Sequence, residues 1–420
     1  SGGRYLAERA IESYWRYYQI HWPIEEHEAG RGGRRSPLYQ TLAAKGAVFG
    51  SRFGWERANW FAPEGTERMD RPSFEGRPNW FAAVGKEARA MRTAVGLCDM
   101  SSFTKLEIAG KDAAGALQTI AANDVMKPPG SLVYTQILNQ RGGIEADLTI
   151  TRLAEDRFYV VTGSAFGVRD RSTIERNLPA GSTISITDLT SARSVIALMG
   201  PNARALLAEV SDADLSNEAF PYLSARHIPV GYATALALRV SYVGELGYEL
   251  HIPAECALDV YERIAAAGLK HGMRDVGYRA IDSLRLEKRY LYWGADITPD
   301  YTPLEAGLGF AVAFGKGEFV GREALERQRA EGIGQRLCTF LVDDQVALYG
   351  GEAIWRAGRV VGVTTSAGYG HSIGRSIAFG YLAVGDAGFD DYELESFGTR
   401  VPARRSAKAP YDPDGKRLRS

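Results

Sequence analysis

Residues 139–148 read Asn139-Gln140-Arg141-Gly142-Gly143-Ile144-Glu145-Ala146-Asp147-Leu148, with apolar-rich runs on either side at 133–138 and 148–153. Asn139 and the two glycines suit a hairpin turn, because such residues accept positive φ at little steric cost. The spacing therefore predicts two strands, the second opening on Asp147. A carboxylate fixed at a rigid strand end can bind or deprotonate an amine. On spacing alone Asp147 also reads as a turn-adjacent aspartate, since such residues crowd hairpins. The functional reading requires a second acidic site and an aromatic slot.

Residues 241–250, Ser241-Tyr242-Val243-Gly244-Glu245-Leu246-Gly247-Tyr248-Glu249-Leu250, supply both. The glycines predict a tight turn between strands, and Glu249 then faces away from Tyr248 and Leu250. A carboxylate inside a sheet is costly unless paired. Glu249 is thus a ligand anchor, an arginine's partner or a surface strand residue, while Glu245 in the turn reads as structural. Further on, residues 277–290 predict a helix with Arg285 and Arg289 on one face. Arg285 can meet a ligand carboxylate or pair with Glu287 or another acid. Residues 302–309 read as a loop closing a helix-to-sheet connection.

The 420 residues suit two or three domains. With 45% hydrophobic and 24% charged residues and a net charge of −1, nothing suggests disorder or a polyanionic partner. Nucleic acid is a poor fit. No apolar run approaches the roughly 20 residues needed to span a bilayer, so no membrane partner is expected. Cys98, Cys256 and Cys338 are far apart and odd in number, which points to reduced thiols and a cytoplasmic setting, or a mitochondrial matrix in a eukaryote.

Aromatics on helical spacing predict a helix over 5–20, ended by His21-Trp22-Pro23. Residues 24–80, rich in Gly, Arg, Pro and aromatics, read as an irregular connector anchored by its rings. From 79 the pattern is α+β: helices over 80–96, 112–121, 201–210 and 256–267, and strands over 106–108, 158–161, 195–199, 235–242 and 248–252. After about 330, short strands separated by glycine (336–342, 353–356, 359–365, 376–383) suggest a small barrel or sandwich. The chain has no Cys-x-x-Cys and no His-Glu-x-x-His, and its glycine pairs do not open a dinucleotide fold. No metal site is expected.

Taken together, residues 79–420 resemble the folate-binding aminomethyltransferase family, whose best-known member is the T-protein of the glycine cleavage system. The resemblance rests on Asn123-Asp124-Val125, Tyr134 with residues 139–147, residues 242–249, Ser283-Leu284-Arg285-Leu286-Glu287, residues 302–309 and Val363-Thr364-Thr365-Ser366. Residues 36–39, 46–50, 54–61 and Pro410-Tyr411-Asp412-Pro413 look more narrowly like the C-terminal half of dimethylglycine and sarcosine dehydrogenases.

The resemblance implies a three-part cloverleaf α+β fold with a C-terminal small β-barrel. Its parts would be a connector over 1–78, a folate-binding domain over 79–330 and a barrel over 331–420. It implies tetrahydrofolate as cofactor and Asp147 as the catalytic aspartate. Tyr134, Val161, Tyr242, Glu249 and Arg285 are the candidate cofactor-binding residues. Glu249 suits a pterin edge, whose N–H and amino group one carboxylate accepts together. Expected partners are folate with a small methylated amine or formaldehyde, and a flavin-containing domain or subunit, FAD entering only through such a part. The T-protein pattern has an arginine where this chain has Ile281.

Overall fold

The computed structural model describes residues 2–20, 24–74, 76–343 and 346–420. The His21-Trp22-Pro23 helix stop lies outside them. Three β-systems organise the chain. A five-stranded antiparallel sheet spans Leu132–Leu138, Ile144–Ala154, Arg157–Thr162, Thr104–Ala109 and Ser185–Asp188, in that spatial order. A six-stranded sheet runs Ala225–Val230, Ala233–Leu238, Gly247–Pro253, Arg193–Met199, Val95–Asp99 and Met273–Asp275, the last strand parallel to its neighbour. Strands from Gln335–Val342 to Thr399–Ser406 close a six-stranded barrel. The architecture is the expected three-part α+β fold with its C-terminal barrel.

The central hairpin forms because its turn chemistry leaves few alternatives. Gly142 has φ +82. A Cβ on Gly143 would meet the Pro299 carbonyl at 1.9 Å. Asn139 Oδ1 accepts from Arg141 N at 2.9 Å and Gly143 N at 3.0 Å, so the side chain replaces missing backbone partners. The second strand starts at Ile144, earlier than its apolar run suggested, and Ile144 N is bonded to Tyr301 O at 3.0 Å. Asp147 therefore lies within the strand, opposite Gln136, rather than at its end.

One face of the five-stranded sheet buries Leu106, Ile108, Leu148, Ile150, Phe158 and Val160 against the helices Ala113–Ile120 and Gly167–Arg176. The alternate residues look the other way. There Leu132 and Tyr159 pack with Ala225, Leu236 and Leu238 of the six-stranded sheet. Backbone bonds stitch the two sheets together: Leu132 N to Leu223 O at 2.9 Å and Ala225 N to Gly130 O at 2.7 Å. The barrel docks through a third cluster in which Leu138 and Ile144 meet Leu286, Ile297, Phe379 and Tyr381.

Two local readings need correction. Residues 24–80 are not irregular throughout, because Ala47–Arg52 and Trp55–Phe61 form an antiparallel hairpin. Its turn places Phe53 at φ +51 and Gly54 at φ +80, so a phenylalanine occupies a position that usually takes Asn or Gly. Trp55, Trp60 and Trp80 are buried there. The helix Tyr278–Glu287 ends before Arg289, which is left-handed at φ +57 and donates to Leu337 O of the barrel at 2.9 Å, so it does not share a helical face with Arg285. All three cysteines are free. No described helix is long and apolar enough to cross a membrane.

Candidate active site

Strand register gathers the candidate residues on the face of the five-stranded sheet turned toward the six-stranded one. Gln136 stands opposite Asp147. One pair further along, Tyr134, Thr149 and Val161 form a row across three strands. The next row on that face is Leu132, Thr151 and Tyr159. The period-two alternation of strands is what places these side chains together.

Gln136 Nε2 donates to Asp147 Oδ1 at 2.9 Å. Burial pushes the Asp147 carboxyl up to about 6, against the pull of the Tyr134 hydroxyl and the Gln136 amide, which both favour the charged form. Burial, and then the charge of Asp147, drives the Tyr134 phenol far above its ordinary range. Tyr242 also titrates upward, first through burial, and the nearby charge of Asp147 adds to it. Its hydroxyl donates to Leu291 O at 2.7 Å, and its ring lies 5.9 Å from Tyr290, 27° from parallel. On the other side Tyr134 faces Phe310 at 6.2 Å. Two tyrosines and a carboxylate held above the usual carboxylate range thus converge, a pattern common in catalytic sites.

Glu249 enters from the six-stranded sheet. It and His251 share a face of Gly247–Pro253, opposite Tyr248, Leu250 and Ile252. Its carboxylate accepts no side-chain hydrogen bond among the described residues and has His251 Nε2 at 3.6 Å. His251 is fully buried and reaches across to the five-stranded sheet, where Nδ1 meets the Tyr159 hydroxyl at 2.9 Å. Burial depresses its pKa, so the ring is neutral. Glu245, by contrast, is spent on structure: it pairs with Arg92 at 3.2 Å and accepts from Tyr411 at 2.6 Å.

Arg285 is built into a clamp. Its nitrogens reach Asp282 at 2.8 Å, Asp296 at 2.8 Å, Ser366 at 2.9 Å and Tyr290 O at 3.3 Å. Burial opposes its charge, but Asp282 and Asp296 outweigh that and raise its pKa. Glu287, named as a possible partner, is held instead by Arg92 at 2.7 Å. Ile281 is a buried core residue packed with Val84, Met91 and Leu284.

Sequence reasoning missed four members of this neighbourhood: Gln136, Tyr159, His251 and Asp170. Asp170, on the helix behind the sheet, is pushed up to about 6, chiefly by burial and further by Asp147, and accepts from the Thr162 hydroxyl. The available signal was strand alternation around Asp147, which puts Tyr134 and Gln136 on one side. The cross-sheet pair has no local signature. Gln136 Oε1, Thr151 Oγ1 and His251 Nε2 are buried without hydrogen-bond partners on this same side of the sheet. A polar cleft of about 390 Å³, lined by Gln140, Arg141, Thr302 and Gln328 among others, contains none of the candidate residues. No described group of His, Cys, Asp and Glu could hold a metal ion.

Both the sequence and the fold match known proteins. Residues 38–316 match the family described as GCVT N-terminal domain, residues 335–412 the glycine cleavage T-protein C-terminal barrel domain, and residues 2–36 the FAD dependent oxidoreductase central domain. Human mitochondrial sarcosine dehydrogenase is 40% identical over 462 residues, covering 99% of this chain and 50% of that one. The 4-methylaminobutanoate oxidase (formaldehyde-forming) of Paenarthrobacter nicotinovorans is 40% identical over 417 residues, with coverages of 99% and 50%. Mouse mitochondrial dimethylglycine dehydrogenase is 37% identical over 406 residues, with coverages of 95% and 46%. The chain spans about half the length of these curated relatives. The crystal structure of glycine cleavage system aminomethyltransferase T from Bartonella henselae matches with a TM-score of 0.77 at 28% identity, covering 90% of this chain and 97% of that one.

Proposed function

The chain belongs to the glycine cleavage T-protein family, and on that premise we propose that it is a tetrahydrofolate-dependent one-carbon transferase, the folate half of an enzyme of the sarcosine and dimethylglycine dehydrogenase type. The observation that carries this reading is the convergence of Asp147, Tyr134 and Tyr242 on a face that holds buried polar atoms without partners. The residues suit a reduced folate. A pterin edge offers an N–H and an amino group side by side, and the unbonded carboxylate of Glu249 has two acceptor oxygens for them. Tyr134 and Tyr242 would flank the ring, with Val161 lining the sheet between. Tetrahydrofolate would supply the nitrogens that take up carbon at the oxidation level of formaldehyde, giving 5,10-methylenetetrahydrofolate and water.

The chain's own part is to orient and to handle protons. Holding two reactants in register lowers a barrier by several kcal/mol, roughly 7–11 at best. Asp147, its pKa near 6, is ionised at neutral pH and can accept an N–H proton or stabilise positive charge developing beside it. The clamp keeps Arg285 on protein partners, so its contribution would be to fix the helix below the site. The carbon would come from oxidative N-demethylation of a methylated glycine-type amine on a flavin-containing domain or partner. The name of the Paenarthrobacter relative, formaldehyde-forming, supports that origin.

Asp147→Asn keeps shape and loses charge. Tetrahydrofolate binding should persist, while methylene formation from formaldehyde slows at least tenfold, about 1.4 kcal/mol. Equal rates would favour a non-catalytic folate-holding role. One observation favours a second reading: the chain covers 97% of the glycine cleavage system aminomethyltransferase T structure. A module acting alone would turn over a methylated substrate with no flavin present.

A further inference from the structure

Asp147 has one strong neighbour on its own sheet whose role nothing above explains. Gln136 is fully buried. Its backbone is pinned, its carbonyl accepting from Ala122 N at 2.8 Å. Its amide nitrogen reaches Asp147 Oδ1 at 2.9 Å, the two residues standing directly opposite in the ladder. A carboxylate only accepts hydrogen bonds, so the NH₂ end of the amide must face it. The carbonyl end is thereby turned away, and Gln136 Oε1 is left buried without a partner. An unmatched buried acceptor is unfavourable, and an apolar side chain of the same size would avoid it. Two features together account for a glutamine here: the donor given to Asp147, and a donor that arrives with the ligand.

We propose that Gln136 is a positioning residue of this site, holding Asp147 as an oriented carboxylate and offering its free carbonyl oxygen to an N–H of the bound reduced folate. The second half rests on the folate reading above; the first does not. Other groups also face the carboxylate. The Tyr134 hydroxyl hydrogen-bonds it, Tyr242 lies nearby and Asp170 behind the sheet, with Arg169 beside Asp170 and Arg285, Asp282 and Asp296 beyond Tyr242. None of these provides a second amide donor. Loss of the Gln136 donor removes a bond that is stronger to the charged form, so the carboxyl should titrate higher.

The test uses the full chain and Gln136→Met, which keeps length and volume. Infrared difference spectroscopy follows the carboxyl titration without ligand, with Asp147→Asn identifying the band. The midpoint should rise by about one pH unit. The acid limb of methylene formation from formaldehyde and tetrahydrofolate should move with it, the rate recovering above about pH 8. A merely structural role would lower the rate at every pH and leave the midpoint in place. Gln136→Leu, neutral and without a donor, provides a second variant should the methionine chain not fold. It should move the midpoint upward as Gln136→Met does, and an unmoved midpoint counts equally against the positioning role. At pH 8.5, calorimetry with tetrahydrofolate should show about tenfold weaker binding to Gln136→Met. An unmoved midpoint overturns the positioning role, and an unchanged dissociation constant overturns the acceptor role. A midpoint that moves in Gln136→Met, beside a wild-type chain that ignores tetrahydrofolate, would leave Gln136 positioning Asp147 and bring down the folate reading instead.

Discussion

Arg285→Met is expected to destabilise the protein without touching the ligand. The guanidinium is nearly buried and Asp296 fully so. Removing one partner of a buried ion pair costs about 3–5 kcal/mol, because the other charge is left uncompensated. Asp296 keeps two neutral donors, Tyr292 N at 2.9 Å and the Thr365 hydroxyl at 2.7 Å, which places the loss toward about 3–4 kcal/mol. Methionine fills most of the volume, so little cavity is added. At about 2 °C per kcal/mol for a large domain, the unfolding midpoint should fall by roughly 6–8 °C. The assay is thermal unfolding by circular dichroism, paired with tetrahydrofolate titration well below the midpoint. The dissociation constant should stay within threefold. Asp296→Asn in the same chain should recover part of the stability, since it removes the orphaned charge. A variant of undiminished stability that had lost folate binding would refute the clamp and return Arg285 to the ligand.

Three further outcomes are expected. Glu249→Gln should weaken tetrahydrofolate binding by about 1.5–3 kcal/mol, the range for charged hydrogen bonds, as read by calorimetry; an unaltered constant in a folded variant would remove Glu249 from the site. Glu87 accepts from Phe61 N at 2.8 Å and Gly277 N at 2.9 Å, and burial pushes it up from 4.5 to about 7. The folded state therefore holds this proton more tightly, and the stability it contributes is complete below pH 4.5 and lost as pH rises through 7. Glu87→Gln should make the midpoint-versus-pH curve shallower between those values, and an unchanged slope would show that burial of this carboxyl is not felt. Finally, the helix Gly2–Arg16 and the turn after it expose Leu6, Ile11, Tyr14, Trp15, Tyr17, Tyr18 and Ile20. Sedimentation should show self-association, or complex formation with an added flavin domain; a monomer indifferent to that domain would argue that this face serves neither.

Legibility followed the range of the interactions. The central hairpin could be read because Asn139, Gly142 and Gly143 dictate its turn locally. The strand start at Ile144 could not, since it is fixed by Tyr301, more than 150 positions away. The hairpin over Ala47–Phe61 escaped notice because arginines, a glutamate and an asparagine interrupt its apolar alternation and Phe53 occupies its turn. The N-terminal helix was visible, but its anchor was not. Tyr14 and Trp15 face outward, and the helix is fastened by buried Glu12, which accepts from Glu28 N at 2.6 Å and Ala29 N at 2.8 Å. The site was half legible. Asp147, Tyr134, Tyr242 and Glu249 could be named, while Gln136, His251 and Tyr159 become meaningful only when strands pair and sheets meet. The commitment of Arg285 to Asp282, Asp296 and Ser366 likewise depends on the barrel.

The bond between Tyr159 and His251 has a consequence for how such a slot can change over time. Asp147 and Glu249 belong to separate sheets, so the gap between them is a gauge set elsewhere, by that bond and by the apolar layer of Leu132, Leu236 and Leu238. Adding or removing a methylene in that layer shifts one sheet against the other and re-spaces both carboxylates, although no contact residue has altered. Adaptation to a bulkier or slimmer ligand would then be written in leucines that never touch it, and a library aimed only at the lining would overlook them.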